Sequence, residues 1–184
     1  VIFEEKAVKS EEIYRGRIIN VRNDTIMLPG GRTASREVVE HQGGVCVAAV
    51  DNGCLLLVRQ FRYPFGRALY ELPAGKLEPG EDPEVCGRRE LLEETGARAG
   101  HFEKLGELYP SPGFLTEVIH IYYATKLTFT RSRPDADEYL DMEKLPLCDV
   151  FKMADSGLIR DAKTVGALYY LTRRLGTDGD RHNP

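Results

Sequence analysis

The chain has 184 residues, 25 Lys and Arg against 29 Asp and Glu, and a formal net charge of −4. A content of 42% hydrophobic and 29% charged residues describes one soluble globular domain with at most a small appendage, and no apolar run reaches membrane-spanning length. The acidic balance argues against nucleic acid as a partner, but not against a small phosphate ligand held by a few placed arginines and a metal.

The opening VIFEEKAVKS is charged and lacks the apolar core of a secretory signal. Cys46, Cys54, Cys86 and Cys148 are scattered, with no Cys-x-x-Cys or Cys/His cluster that would hold zinc. Free thiols, with Cys46 and Cys54 buried in apolar strands, predict a reducing, cytoplasmic setting.

Residues 1–42 read as strands. RIINVRNDTIML (17–28) turns at Pro29-Gly30-Gly31 and returns as RTASREVVEH (32–41). Such a hairpin, polar on much of both faces, is marginal alone and is expected to dock on the main domain or on a second subunit. The core begins at VCVAAV (45–50), and Asp51-Asn52-Gly53 turns it into CLLLVRQFRY (54–63), a second hairpin. Its first half is expected to be buried on both faces, and its second half carries Arg59 and Arg62. Each is a surface arginine by default. Arg62 leads toward the acidic stretch described below, and its planar fork suits a phosphate or a base.

After Pro64-Phe65-Gly66, ALYELPAG (68–75) brings Glu71 and the Ala74 carbonyl up to that stretch, and a carbonyl there is a natural extra oxygen ligand for a metal. Beyond it, KLGELY (104–109) predicts a strand and Pro110 to Phe114 a rigid turn. EVIHIYYATKLTF (117–129) predicts a long strand with Val118, His120 and Tyr122 on one face, where His120 has a packing role. The polar loop TRSRPDADEYL (130–140) offers Asp135, Asp137 and Glu138, as solvated carboxylates or as a ligand or base. KLPLCDVFKMADSG (144–157) predicts a short helix. RDAKTVGALYYLTRRLG (160–176) predicts an amphipathic one with Val165, Leu168, Tyr169 and Thr172 on its apolar face. The tail, 177–184, is expected to be disordered. The organisation expected is a strand region over 1–42 and a main domain over 43–176.

The central stretch is GKLEPGEDPEVCGRRELLEETGA (75–97). Asp82 is a good N-cap, Pro83 suits the first helical position, and Gly96 suits the left-handed residue that ends a helix, so a helix from Pro83 to about Glu94 is predicted. Residues three or four apart share a face, which makes Glu90, Glu93 and Glu94 neighbours, flanked by the small Cys86 and Gly87. Carboxylates crowded near a helix C-terminus repel one another and oppose the macrodipole, and a bound hard cation removes both penalties. A solvated acidic face is the plainer reading of a Glu-rich helix. It does not account for a Gly- and Pro-punctuated loop that delivers Glu81 beside the helix. Seven such positions at set spacing arise by chance on the order of once in a million chains.

This stretch resembles the Nudix box, G-x5-E-x7-R-E-U-x-E-E-x-G-U, through Gly75, Glu81, Arg89, Glu90, Leu91, Glu93, Glu94 and Gly96, with Ala97 smaller than usual at the last position. Further stretches are similar to the ADP-ribose pyrophosphatase branch: REVVEH (36–41), VRQFRYPFG (58–66), ELPAGKLEPGE (71–81), SPGFLTE (111–117) and IRDAKTVGAL (159–168). The resemblance implies an α+β protein, an α/β/α Nudix sandwich with a mixed central sheet. It also implies N-terminal antiparallel strands used in a homodimer whose sites are shared between subunits.

The implied metal ligands are the Ala74 carbonyl, Glu90 and Glu94, assisted by Glu81 and Glu93, for Mg²⁺ with Mn²⁺ as alternative. Arg89 orients the box glutamates. Glu93 and Glu138 are further catalytic candidates, Glu138 as metal contact or base, and Ala136 replaces an acidic residue usual in that loop. Arg36, Arg59, Arg62, Glu71, Pro112, Gly113 and Glu117 are the substrate-binding candidates, with Arg36 reaching across to a partner. The implied activity is Mg-dependent hydrolysis of ADP-ribose to AMP and ribose 5-phosphate. The alternatives are another nucleoside diphosphate sugar, UDP- or GDP-linked, or a non-catalytic nucleotide sensor. A sensor fits poorly with a full set of box carboxylates and no DNA-binding segment. No nucleic-acid or membrane partner is expected.

Overall fold

The computed structural model describes residues 3–132 and 139–179, with side chains through 176. Asp135, Asp137 and Glu138 lie outside the described residues, as does the tail beyond 179. The chain divides into two compact units, Val1–Gly43 with Tyr109–Val118, and Gly44–Leu108 with Ile119–Pro184.

The first unit is an antiparallel meander of β1 (Lys6–Arg15), β2 (Asn20–Met27) and β3 (Thr33–Glu40). Gly30 and Gly31 hold φ of 98° and 84° in the turn between β2 and β3, a conformation that costs glycine nothing. The pairing of β2 with β3, from Asn20↔Glu40 to Met27↔Thr33, is the hairpin the sequence predicts. Arg22 Nε donates to Glu40 at 2.9 Å across it. The segment 109–118 joins this unit through Val39, whose N–H donates to the Phe114 carbonyl at 2.7 Å and whose carbonyl accepts from Thr116 at 3.0 Å. Every residue of β1 is exposed.

In the second unit, among the described residues, β4 (Gly44–Asp51), β5 (Cys54–Arg62), β6 (Arg67–Glu71), β7 (Ala74–Lys76), β8 (Ala97–Leu108), β9 (Ile119–Phe129) and β10 (Leu140–Pro146) form one mixed sheet. The path runs β10-β5-β4-β9-β8, with β6 on β5 and β7 on β4, and β4 and β9 are parallel. Strand β4 is the divider. Cys46, Ala48 and Val50 join a core with Leu55, Leu57, Ile121, Ile159 and Leu171. Val45, Val47 and Ala49 join a second core with Leu56, Cys86, Leu91 and Tyr122. Alternating side chains thus bury both faces, as the continuous apolar run VCVAAV requires. Helix α1 (Pro83–Thr95) covers one face and α2 (Leu147–Asp155) and α3 (Ala162–Gly179) the other, an α/β/α sandwich.

Four sequence expectations need correction. Strand β8 starts at Ala97, seven residues before the predicted 104. Gly96, at φ 72°, reverses the chain straight out of α1, and its carbonyl accepts from Thr130 N–H at 2.8 Å, so pairing with β9 begins at once. The segment predicted as a helix from 144 is strand through Pro146 and helix only from Leu147. The free edge of β5 needs a hydrogen-bonding partner along Cys54 to Gln60, and that need overrides local helix propensity.

On α3 the buried face is Thr164, Ala167, Leu168 and Leu171, while Val165 and Tyr169 are 44% and 65% exposed. Small residues form the packed stripe because the helix approaches closely; a Cβ on Gly166 would lie 2.3 Å from Leu108. Finally, Cys54 is only half-buried, since it sits at the turn end of β5.

The corrected face makes a direct forecast. Leu171→Ala should cost about 2–5 kcal/mol, whereas Val165→Ala should stay within about 0.5 kcal/mol. Urea unfolding of the two variants checks it.

Candidate active site

Helix α1 forms where capping dictates. Asp82 Oδ1 accepts from Glu84 N–H at 2.8 Å and from Val85 N–H at 3.3 Å, Pro83 opens the first turn, and Gly96 N–H donates to Leu92 O at 2.8 Å. The helix buries Cys86, Gly87, Glu90, Leu91, Glu94 and Thr95. Two of these are carboxylates, Glu90 at 9% and Glu94 at 3% exposure, a placement that isolated acidic groups do not tolerate.

Arg89 holds the acidic side chains together. Its Nε and Nη2 donate to the two oxygens of Glu81, each at 3.1 Å, and its Nη1 donates to Glu90 at 2.8 Å and Glu93 at 3.1 Å. Hydrogen bonding to Glu81 above all raises the Arg89 pKa, against the opposing effect of burial. The same bonds, led by those from Arg89, hold the Glu81 carboxyl below its ordinary range. The preceding loop is shaped for this: Glu81 Oε2 also accepts from Glu78 N–H at 3.0 Å. Glu94 is fixed from the other side by Ala74 N–H at 3.1 Å. Gly75 leaves room for Glu90, since a Cβ there would fall 1.8 Å from Glu90 Oε1. Glycine is required at this position by close approach rather than by a turn. Cys86, packed beneath the cluster, is pushed up to about 12 by burial, so it is a thiol and a spacer.

Among the described residues no three acidic, His or Cys side chains converge closely enough to hold a metal by themselves. The chemistry of the donors nevertheless fits a hard divalent ion. The candidates are carboxylates and one backbone carbonyl, with Glu90 and Glu94 buried beside Ala74 and Gly75.

A second group of charges lies at the ends of β5 and β6. Arg62 donates through Nε and Nη2 to the two oxygens of Glu71, at 2.6 and 2.7 Å. Glu71 is 2% exposed and also accepts from Lys163, which pairs with Asp161 at 2.9 Å. Burial alone would raise the Glu71 carboxyl; its bonds to Arg62 and Lys163 outweigh this and bring it below the ordinary range. Glu71, a substrate-binding candidate, is thus held by Arg62 and Lys163. Among the described residues no hydrogen bond involves Arg62 Nη1; the side chain is 37% exposed and lies near enough to Glu94 to feel its charge. Arg59 stacks its guanidinium 5.7 Å from the Tyr70 ring centre.

Arg36, Pro112, Gly113 and Glu117 belong to the first unit. There Arg36 pairs with Glu5, Nε at 3.0 Å, Gly113 has open space where a side chain would be, and Glu117 lies 3.5 Å from His41 Nδ1. His120 is half-buried, with Nδ1 3.2 Å from Glu107. Lys163, Asp161 and Thr164 are residues that sequence reasoning left without a role. Their signal was there in Asp161-x-x-Thr164, a capping pattern, but nothing local marks Lys163 as buried.

The Nudix domain profile matches residues 40–164, and the nucleoside diphosphate sugar hydrolase N-terminal domain matches 5–39. The chain is 41% identical over 171 residues to the ADP-ribose pyrophosphatase of Bacillus subtilis, covering 91% of this chain and 92% of that one. It is 42% identical over 173 residues to the methanol dehydrogenase activator of Bacillus methanolicus, covering 92% and 94%. A crystal structure of an ADP compounds hydrolase shares the fold, with a TM-score of 0.86 at 22% identity over 96% of both chains. With the box assembled around Arg89 and the profile spanning most of the chain, this protein belongs to the Nudix family and is a hydrolase. Hydrolases of this family generally need divalent metal ions. No helix among the described residues is long and apolar enough to cross a membrane.

The depressed Glu71 carboxyl has a definite pH signature. Its contribution is complete above the unfolded-state value of about 4.3 and is lost as pH falls through the lower folded-state value. Unfolding free energy measured against pH should fall below about pH 4 in the wild type, and Glu71→Gln should flatten that acid limb.

Proposed function

We propose that this hydrolase cleaves the diphosphate of ADP-ribose, releasing AMP and ribose 5-phosphate. The observation that carries the reading is the Arg89-centred cluster, in which one guanidinium aligns Glu81, Glu90 and Glu93 while Glu90 and Glu94 are held buried against the Ala74-Gly75 backbone. The likeness to an ADP-ribose pyrophosphatase along nearly the whole chain favours ADP-ribose over UDP- or GDP-linked sugars.

Glu90 and Glu94, with the Ala74 carbonyl and assistance from Glu81 and Glu93, would hold Mg²⁺, or Mn²⁺ in its place. The ion would supply polarisation of a phosphoryl oxygen and a more acidic water. Arg62 presents its Nη1 side to the diphosphate, and Arg59 is exposed on the same strand, next to the buried Val58. Glu93, the most accessible box carboxylate at 34%, and Glu138 are the candidates to take the water's proton. Arg89 holds Glu81, Glu90 and Glu93 in place through its hydrogen bonds. In the homodimer the family resemblance implies, Arg36, Pro112, Gly113 and Glu117 would complete the substrate site. The four free thiols support a reducing, cytoplasmic location.

Two experiments test the reading. Purified protein with Mg²⁺ and a panel of ADP-ribose, UDP-glucose and GDP-mannose should hydrolyse ADP-ribose with the highest kcat/KM. Glu90→Gln should lower kcat about 100-fold or more with an unchanged circular dichroism spectrum. Turnover led by another sugar would overturn the substrate, and metal-independent turnover the site.

The homodimer has its own support. Among the described residues strand β1 is an edge of its sheet, and it exposes Val8, Ile13 and Tyr14, a surface that proteins normally cover. Sedimentation equilibrium should return about twice 20.7 kDa, and Ile13→Lys should move the mass toward the monomer.

A further inference from the structure

The buried charges behind Arg62 do more than fill space. In the β5–β6 register Glu71 stands opposite Val58, and Arg62 lies four residues further along β5 on the same face. Its Cα is thus about 13 Å along the strand from the position opposite Glu71. The arginine must fold back along the strand to reach that carboxylate, and among the described residues its Nε and Nη2 bonds hold it there. A carboxylate that served Arg62 alone would also cancel most of its charge. Here Glu71 is shared, because Lys163 reaches it from the first turn of α3.

Lys163 is in turn held by Asp161, the residue that caps α3. Asp161 Oδ2 accepts from Thr164 N–H at 3.0 Å and from Thr164 Oγ1 at 2.6 Å, while Thr164 Oγ1 accepts from Leu72 N–H at 2.9 Å. Two cations and two anions, Arg62 and Lys163 with Glu71 and Asp161, balance in charge. The chain of bonds runs from the Leu72 backbone, just after β6, through the start of α3 to the Arg62 guanidinium.

We propose that Lys163 is a positioning residue for the hydrolytic reaction, fixing the Glu71 carboxylate and through it the direction and free charge of the Arg62 guanidinium. The proposal rests on the reading that Arg62 meets the substrate diphosphate. Lys163 itself touches neither substrate nor metal, and its effect is exerted at a distance of one shared carboxylate. A structural lysine that merely docks α3 would be expected to contribute to stability without caring whether Arg62 is present.

A double-mutant cycle separates the two roles. Lys163→Met should lower kcat/KM for ADP-ribose about 10–100-fold in the wild-type background and no more than about twofold when Arg62→Ala is already present. An effect below twofold in the wild type, or an equal factor in both backgrounds, overturns the proposal. Should Lys163→Met fail to fold, Asp161→Asn, which preserves a good cap, takes its place with the same criteria. The free protein supplies a readout that needs no substrate: the Arg62 Nε–H resonance, assigned by its loss in Arg62→Ala, should broaden or shift in Lys163→Met, and an unchanged signal overturns the proposal. If another nucleoside diphosphate sugar proves to be the substrate, only the ADP-ribose assignment fails, and the cycle is read on that sugar.

Discussion

One guanidinium holds the candidate site in register. Arg89 is the common partner of Glu81 from the loop and of Glu90 and Glu93 from the helix, so it converts mutual repulsion among acids into a shared set of charge-assisted bonds. Burying Glu90 would otherwise carry a large desolvation cost, and Glu94 has the Ala74 N–H. The arginine does not neutralise the cluster, and what is left over is an excess of oxygen donors and negative charge, the environment a hard cation prefers. The tight loop, the capped helix, the glycine at 75 and the small thiol at 86 all serve to let these side chains approach.

The sheet beneath explains why the box can be held so firmly. Strand β4 gives alternate residues to two cores, one under α1 and one under α2 and α3. Helix α1 is thereby seated on a strand whose own position is determined from the opposite face. The short β7, paired with β4 from Gly44↔Lys76 to Cys46↔Ala74, brings the Ala74-Gly75 backbone up to the glutamates. The Ala74-Gly75 backbone is therefore part of the sheet, which suits a site that must keep its geometry to fractions of an ångström.

Much of the site was legible because it is local. Asp82, Pro83 and Gly96 mark the helix, and spacing of three and four puts Glu90, Glu93 and Glu94 together. All of this is determined by bonds within a few residues. The misreadings share an opposite cause. Leu140–Pro146 is a strand because β5 has an edge to fill, and the packed face of α3 runs through Thr164 and Ala167 because the neighbouring sheet leaves little room. Nothing local marks Glu71, a substrate-binding candidate, as a buried carboxylate held by Arg62 and by Lys163, ninety-two positions away in the chain.

By itself, then, the amino-acid order determined the acidic motif, the capped helix that carries it and the alternating apolar strands. These depend on spacing, capping and side-chain period, which act over a turn or a pleat. Only the tertiary structure decided which carboxylates are buried, which arginines bind acids, and which face of the last helix packs. Those outcomes depend on groups distant in the chain competing for the same space and the same charge, and no local pattern encodes that competition.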